Sequence, residues 1–340
     1  MENRQTALES LPKLLLPWYD ENKRDLPWRI DTDPYRVWVS EIMLQQTRVE
    51  AVKDYYIKFM NELPTVEALA ACPEEKLLKL WEGLGYYSRA RNLHAAAKEI
   101  AAMGAFPSDF DEIKKLKGVG EYTAGAIASI AFERPSPAVD GNVIRVLSRV
   151  LADEREQDIL RACFTEELAP AYPAQRRGDF TQSLMELGAT VCLPSGPKCM
   201  LCPLFSLCKT HGDSLPVKKK KAARKVTDLT VFVLIGSHGA GLEKRTGGVL
   251  KGMWQFYNIP RKLSHEEICE HLKKLGITDF NISSPPLTHR HVFTHLEWNM
   301  CAYRIQTEQS PPFLSYFTAE QIREEISLPS AFSWCLELVY

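Results

Sequence analysis

The stretch 116-LKGVGEYTAGAIASIAFERPSPAVD-140 decides how this chain is read. Gly118-Val119-Gly120 sets two glycines around one apolar residue, a tight turn able to take φ > 0 and to bring its backbone close to a ligand. An Ala- and Ile-rich run from Tyr122 to Phe132 predicts a helix that starts on this turn. A helix start presents unpaired N–H groups and the positive end of the helix dipole, which suits an anion such as phosphate. Pro135 and Pro137 end the helix, and a lone acid, Asp140, follows at once. Taken alone, GVG fits an ordinary turn between two helices better. The remaining stretches have to decide.

The chain has 340 residues, room for two domains of ordinary size. Its 45% hydrophobic and 25% charged residues are those of a globular protein, not of a disordered or fibrous one. The opening MENRQTALES has no apolar core after a basic start, which predicts no signal peptide. No apolar run reaches the length of a membrane-spanning helix. Net charge is −1 and speaks neither for nor against nucleic acid. Its distribution is uneven: residues 1–216 hold 26 Lys/Arg against 31 Asp/Glu, and residues 217–340 hold 16 against 12. Nine cysteines, an odd number with five scattered singly, argue against a secreted disulfide framework and for a reducing, cytoplasmic compartment.

Upstream, Asp33-Pro34 predicts a helix start, with Asp as N-cap and Pro in the first turn. The helix runs through 35-YRVWVSEIMLQQT-47 and places Glu41 among apolar bulk. A carboxyl so desolvated has the raised pKa a general acid needs; a surface glutamate on an amphipathic helix is the other reading. Breaks fall at Pro64 and Pro73. The Gly83-Leu84-Gly85 turn then leads into Tyr86-Tyr87, Arg89, Arg91 and His94. These residues suit either wedging into a base stack with phosphate contacts or a turn between helices with packed tyrosines. After Asp140, 141-GNVIRVLSRVLA-152 predicts a helix with one apolar face, and residues 158–190 two more.

Cys192, Cys199, Cys202 and Cys208 give C-x6-C-x2-C-x5-C, stiffened by Pro194, Pro197 and Pro203. Four thiolates so spaced bind zinc or a [4Fe–4S] cluster, and a single C-x2-C pair is unusual for zinc. The spacing resembles the cluster loop of the endonuclease III glycosylases. A basic run follows, with six Lys/Arg between Lys218 and Lys225, either a phosphate-contacting linker or a solvated tether. Beyond it, 229-LTVFVLI-235 predicts a buried strand, 247-GGVLKGMWQF-256 a glycine-rich turn and aromatic strand, 265–275 a helix, and 288–294 and 296–305 strands. This part resembles the Nudix-like fold. The helix 265-HEEICEHL-272 lacks the Glu-rich box that would hold magnesium, so we expect it to bind without hydrolysing.

With 26-LPWR-29, 39-VSEIMLQQT-47, 83-GLGYYSRARNLH-94, 118-GVGEYTAGAI-127, 139-VDGNVIRV-146 and the cysteine loop in this order, the chain resembles the adenine DNA glycosylases of the MutY type over nearly its whole length. The fold implied is a mostly α helix–hairpin–helix glycosylase domain, residues 1–216, with a [4Fe–4S] loop at 192–208. A basic linker, 217–227, and an α+β Nudix-like lesion-recognition domain, 228–340, follow. The activity implied is monofunctional removal of adenine mispaired with 8-oxoguanine or G in double-stranded DNA, by a monomer. The resemblance makes Glu41 the acid for adenine N7 and Asp140 the stabiliser of the sugar cation, with Tyr122 and Asn142 orienting Asp140. Relatives that also nick the backbone carry a lysine where Tyr122 stands. Gln46, Thr47, Leu84, Tyr86, Gly118 and Gly120 would contact DNA, and Phe293-Thr294-His295 would read 8-oxoguanine. Arg24, Trp28 and Gln182 would line the adenine pocket, and Cys192, Cys199, Cys202 and Cys208 would hold the cluster. The chain departs from the family at Lys117, often proline, and at Thr294, often serine.

Overall fold

Asp33 starts the Pro34–Leu44 helix as expected: its carboxylate accepts from the Arg36 N–H while Pro34 occupies the first turn. Val37, Trp38, Val39, Ile42 and Met43 are buried along it. The helix stops at Leu44, short of the expected Thr47. Gln46 turns into the left-handed region with φ 56°, a conformation no helix continues through. The structure, a computed structural model, describes residues 2–217 and 223–340. Lys218, Lys219, Lys220, Lys221 and Ala222, most of the expected basic run, lie outside the described residues.

The glycine-turn helix runs Glu121–Phe132, and Thr123 to Ile130 are all buried. A helix apolar all round must be covered on every side. It packs against Pro34–Leu44, Phe110–Lys115 and Arg177–Thr190. Gly118 does take φ +80°, but Gly120 is extended at φ −98°, ψ 179°, and serves as the N-cap. Gly125 brings this helix onto the chain leading to Asp140: an added Cβ would meet the Pro137 carbonyl oxygen at 2.1 Å. Gly141–Leu151 follows, its Val143, Ile144, Val146, Leu147 and Val150 packed with Leu8, Leu11, Leu15, Phe164 and Leu184.

The C-terminal part is a seven-stranded sheet. Its strands are β1 Lys225–Gly236, β2 Gly239–Lys244, β3 Trp254–Ile259, β4 Asn281–Ile282, β5 Leu287–Val292, β6 Leu296–Gln306 and β7 Ser315–Phe317. The order is β4-β6-β1-β3-β2-β7, with β5 also on β6. β1 and β6 pair in parallel, Lys225 opposite Leu296 through Ile235 opposite Gln306; the other pairs are antiparallel. Alternation along β1 sends Phe232 and Leu234 to one face and Leu229, Val231 and Val233 to the other. The first face is covered by Ile268 and Leu272 of the His265–Lys274 helix, which opens with a Ser264/Glu267 capping box. Ala331, Phe332 and Cys335 cover the second.

The chain is thus a helical N-terminal part followed by an α+β part. By contacts it divides into two compact units, Met1–Cys72 with Arg91–Lys220, and Pro73–Ala90 with Lys221–Tyr340. The linear reading keeps residues 73–90 in the first domain; their contacts lie with the second unit. Among the described residues, no helix is long and apolar enough to cross a membrane.

Candidate active site

Three helices of the first unit aim carboxyls and amides into one cavity of about 610 Å³. Ligand-sized sites span roughly 300–1,000 Å³. Its walls include Glu41, Tyr122, Asp140 and Asn142, and equally Gln46, Thr47, Arg24, Trp28 and Gln182. Every residue of this group is brought together from positions up to 158 apart in sequence, 24 to 182.

Glu41 is only 6% exposed. Burial pushes its pKa up to about 7; the hydrogen bond from Tyr122 and the charge of Arg29 pull the other way, and the Asp140 charge adds to the rise. The Tyr122 hydroxyl donates to Glu41 Oε2 at 2.6 Å. That leaves Oε1 to carry the proton of the acid form. Tyr122 therefore serves Glu41, and it is Asn142 that donates to Asp140, Nδ2 to Oδ2 at 2.7 Å. Burial, with help from the two carboxyls, holds the Tyr122 hydroxyl well above the ordinary tyrosine range, so it stays a donor.

Asp140 is the N-cap of Gly141–Leu151, its Oδ1 accepting from the Val143 N–H at 2.8 Å. Burial raises its pKa, against the lowering effects of the Val143 and Asn142 hydrogen bonds and of Arg145. Gly188 admits Asn142 closely: a Cβ there would stand 2.6 Å from the Asn142 Cβ. Arg145 then ties the group to the cysteine loop, donating to Asn142 Oδ1 at 2.7 Å, to the Gly188 carbonyl at 2.8 Å and to the Cys192 carbonyl at 2.7 Å.

Two wall residues escaped the sequence reading. Glu186 is fully buried and accepts from Arg24 Nε at 2.6 Å and Arg29 Nη2 at 2.8 Å. Burial alone would raise its pKa; the two arginines outweigh it and hold the carboxyl below its usual value. The site can thus present one protonated acid, one charge-paired carboxylate and amide groups around a ligand-sized space. Arg29 belongs to the LPWR motif; Glu186, in a mid-helix run, carries no local signal.

Outside this cavity, Gly118 and Gly120 shape the turn before Glu121–Phe132, where an added Cβ at Gly118 would meet Asn92 at 2.6 Å. Gln46 and Tyr86, both expected to contact DNA, have φ 56° and 47°. Side chains held in the left-handed region store strain of order 1–3 kcal/mol, and such residues cluster at functional sites. In the second unit, Leu84 is buried, Tyr86 is exposed, and the Tyr86 hydroxyl shares a hydrogen bond with Thr294 Oγ1 at 2.6 Å. Phe293 packs edge-on against Trp298, and its carbonyl accepts from Arg224. The His295 carbonyl accepts from the Lys225 N–H.

Cys192, Cys199, Cys202 and Cys208 line one small cavity with Arg149, none of them in a disulfide. Burial, with the nearby thiols, pushes the Cys202 thiol up to about 11. Arg149, buried, donates to Cys192 Sγ at 3.3 Å and to the Leu193 carbonyl at 2.8 Å. Among the described residues, no three His, Cys, Asp or Glu side chains form a group that could hold a single metal ion.

The helical architecture of the first unit is that of a DNA glycosylase of the helix–hairpin–helix type. Residues 39–169 match the HhH-GPD superfamily of base excision DNA repair proteins, and residues 230–338 match the NUDIX domain. A solved thermostable thymine-DNA glycosylase is similar at 28% identity and TM-score 0.55, covering 61% of this chain and 96% of that one. The adenine DNA glycosylase of Rattus norvegicus is 48% identical, over 88% of this chain and 70% of that protein. The adenine DNA glycosylase of Buchnera aphidicola subsp. Acyrthosiphon pisum is 33% identical, over 91% and 89%. This chain belongs to the adenine DNA glycosylase family, hydrolases of N-glycosyl bonds that act in base excision repair.

Proposed function

We propose that the protein removes adenine paired with 8-oxoguanine, or with G, from double-stranded DNA, acting as a monomer. The observation that carries the chemistry is the convergence of Glu41 and Asp140 on one cavity, with Tyr122 and Asn142 fixing one carboxyl each. Adenine must leave the stack to enter that cavity, with Arg24, Trp28 and Gln182 around it. Glu41 gives its proton to N7. The C1′–N9 bond then breaks, its electron pair going to the base. The deoxyribose is left as an oxocarbenium ion, which the Asp140 carboxylate stabilises. Water adds to C1′ and returns a proton to Glu41. No lysine stands at position 122 to form an imine, so the product is an abasic site with the backbone intact.

The domain at 1–216 carries the chemistry, and 228–340 carries Phe293, Thr294 and His295 toward the base opposite adenine. The linker 217–227 meets the phosphate backbone. The proposed cellular site is the cytoplasm, on the nucleoid. The single-turnover test uses duplexes with A opposite 8-oxoguanine, A opposite G, T opposite G, and thymine glycol. Adenine release is expected from the first two only. Release of thymine or thymine glycol, or no release of adenine opposite 8-oxoguanine, would overturn the reading.

The cysteine quartet supports a [4Fe–4S] cluster over zinc: zinc sites usually pair two C-x2-C knuckles, this loop has one, and its four thiols share one cavity. Cys192, Cys199, Cys202 and Cys208 would hold the cluster, which orders the loop that Arg145 and Arg149 grip and supplies no step of hydrolysis. Iron and sulfide are expected at four each per chain, and Cys202→Ser should lose most of the visible absorbance. Stoichiometric zinc in their place would refute the assignment.

A further inference from the structure

Residues 73–90 lie far in sequence from the C-terminal domain yet are fastened to it at three places: an exposed ion pair of Glu75 with Lys244 Nζ at 3.1 Å, and two that flank a turn. The first of these two is Lys79, on the Glu74–Leu80 helix. Its ammonium donates to the Ile322 carbonyl at 3.3 Å and the Ile326 carbonyl at 2.9 Å, and pairs with Glu82 at 2.7 Å. An ammonium has three protons, and these three acceptors use them all. Ile322 belongs to the short Ala319–Glu324 helix, so the charge also sits where a helix C-terminus favours a cation. Glu82 in turn accepts from the Leu328 N–H at 2.7 Å, and Ser327 Oγ donates to the Leu78 carbonyl at 3.0 Å. The second fastening is the 2.6 Å bond between Tyr86 and Thr294.

Between the two lies a turn with Gly83, Gly85 and Tyr86 all at positive φ. Trp81 Nε1 donates to the Gly85 carbonyl, and Arg89 Nη2 to those of Leu84 and Gly85. The Arg89 guanidinium stands 5.5 Å from the Trp81 ring and 5.6 Å from the Tyr86 ring. These bonds tie the turn together between Lys79 and Tyr86.

We infer that Lys79 is a positioning residue: a shift at Lys79 is carried through this turn, and the ammonium keeps Tyr86 in register with Thr294. This rests on the assignment of Tyr86 and Thr294 to the 8-oxoguanine side. Lys79 belongs to the second compact unit, and Glu41 and Asp140 to the first, so its loss should alter selectivity and spare cleavage.

The test is Lys79→Met in the full chain, with Lys79→Arg as the conservative variant. Single-turnover release of adenine opposite G should stay within about twofold of wild type. The preference for A opposite 8-oxoguanine over A opposite G should fall about fivefold or more, and arginine should restore most of it. Hydrogen exchange of the free protein should rise in residues 83–90 and 319–328 and hold steady in 121–151. An unchanged preference, or exchange raised equally across 121–151, would overturn the inference. A wild-type protein without any preference for 8-oxoguanine would instead remove the lesion reading, while the exchange pattern still judges the clasp.

Discussion

Glu41→Gln is expected to slow single-turnover adenine release by roughly 10²–10⁴-fold, the usual contribution of a positioned general acid. Duplex binding should change little. The amide keeps the shape of the side chain and can still accept from Tyr122, but it has no proton to give to N7. The pH profile supplies a second, independent arm. Burial lifts Glu41 from the usual carboxylate range to about 7. The sign is that of an acid whose working form is protonated: activity is full below about pH 7 and lost as pH rises through it. Above that point the rate should drop about tenfold per pH unit, and the Gln variant should show no such limb. Retention of activity within about threefold, or a wild-type rate that climbs through pH 7, would dismiss Glu41 as the acid. The charge of Asp140 contributes to holding the proton on Glu41. Removing that charge should therefore shift the limb to lower pH.

Local chemistry was legible in the sequence. Asp33-Pro34 announced a helix because capping is decided within four residues. Asp140 stood out as the acid after two prolines, but its place as N-cap of Gly141–Leu151 is shown only by the fold. The four cysteines were legible because spacing along a short loop limits where the sulfurs can go. Partners set by tertiary approach were not. Tyr122 sits in the same quoted stretch as Asp140, yet its hydroxyl points to Glu41, 81 residues away. Glu186 gave no signal because its two arginines come from residues 24 and 29, and only folding shows that its charge is paired. Gly120 looked like Gly118 on paper; the helix start needs an extended residue there, so only one of the two uses its freedom. Strands β4 and β7 were missed because they are two and three residues long and defined by pairing across the sheet; β2, GAGLEK, was missed because its two glycines read as a turn.

Asp140→Asn should cost about 10²–10³-fold in the chemical step, the range seen when one preorganised electrostatic group is removed from a developing charge. The substitution separates chemistry from folding unusually well at this position. Asp140 has two jobs: it caps Gly141–Leu151 through Val143 N–H, and it presents a carboxylate to the cavity. Asparagine is as good an N-cap as aspartate, so the first job survives. The second does not, since a neutral amide cannot balance an oxocarbenium ion. One bond is at risk, because Asn142 Nδ2 now donates to Asp140 Oδ2. An amide at 140 has one accepting oxygen where the carboxylate had two, so it must share that oxygen between Asn142 and Val143 or weaken one of the bonds. A thermal midpoint within a few degrees of wild type, together with the rate loss, is the expected pair of results. Asn142→Ala should be milder, because it leaves the charge in place and removes only its alignment through Arg145 and the Cys192 carbonyl. If Asp140→Asn kept its rate while Asn142→Ala lost it, the cation would have to be stabilised by some group other than this carboxylate.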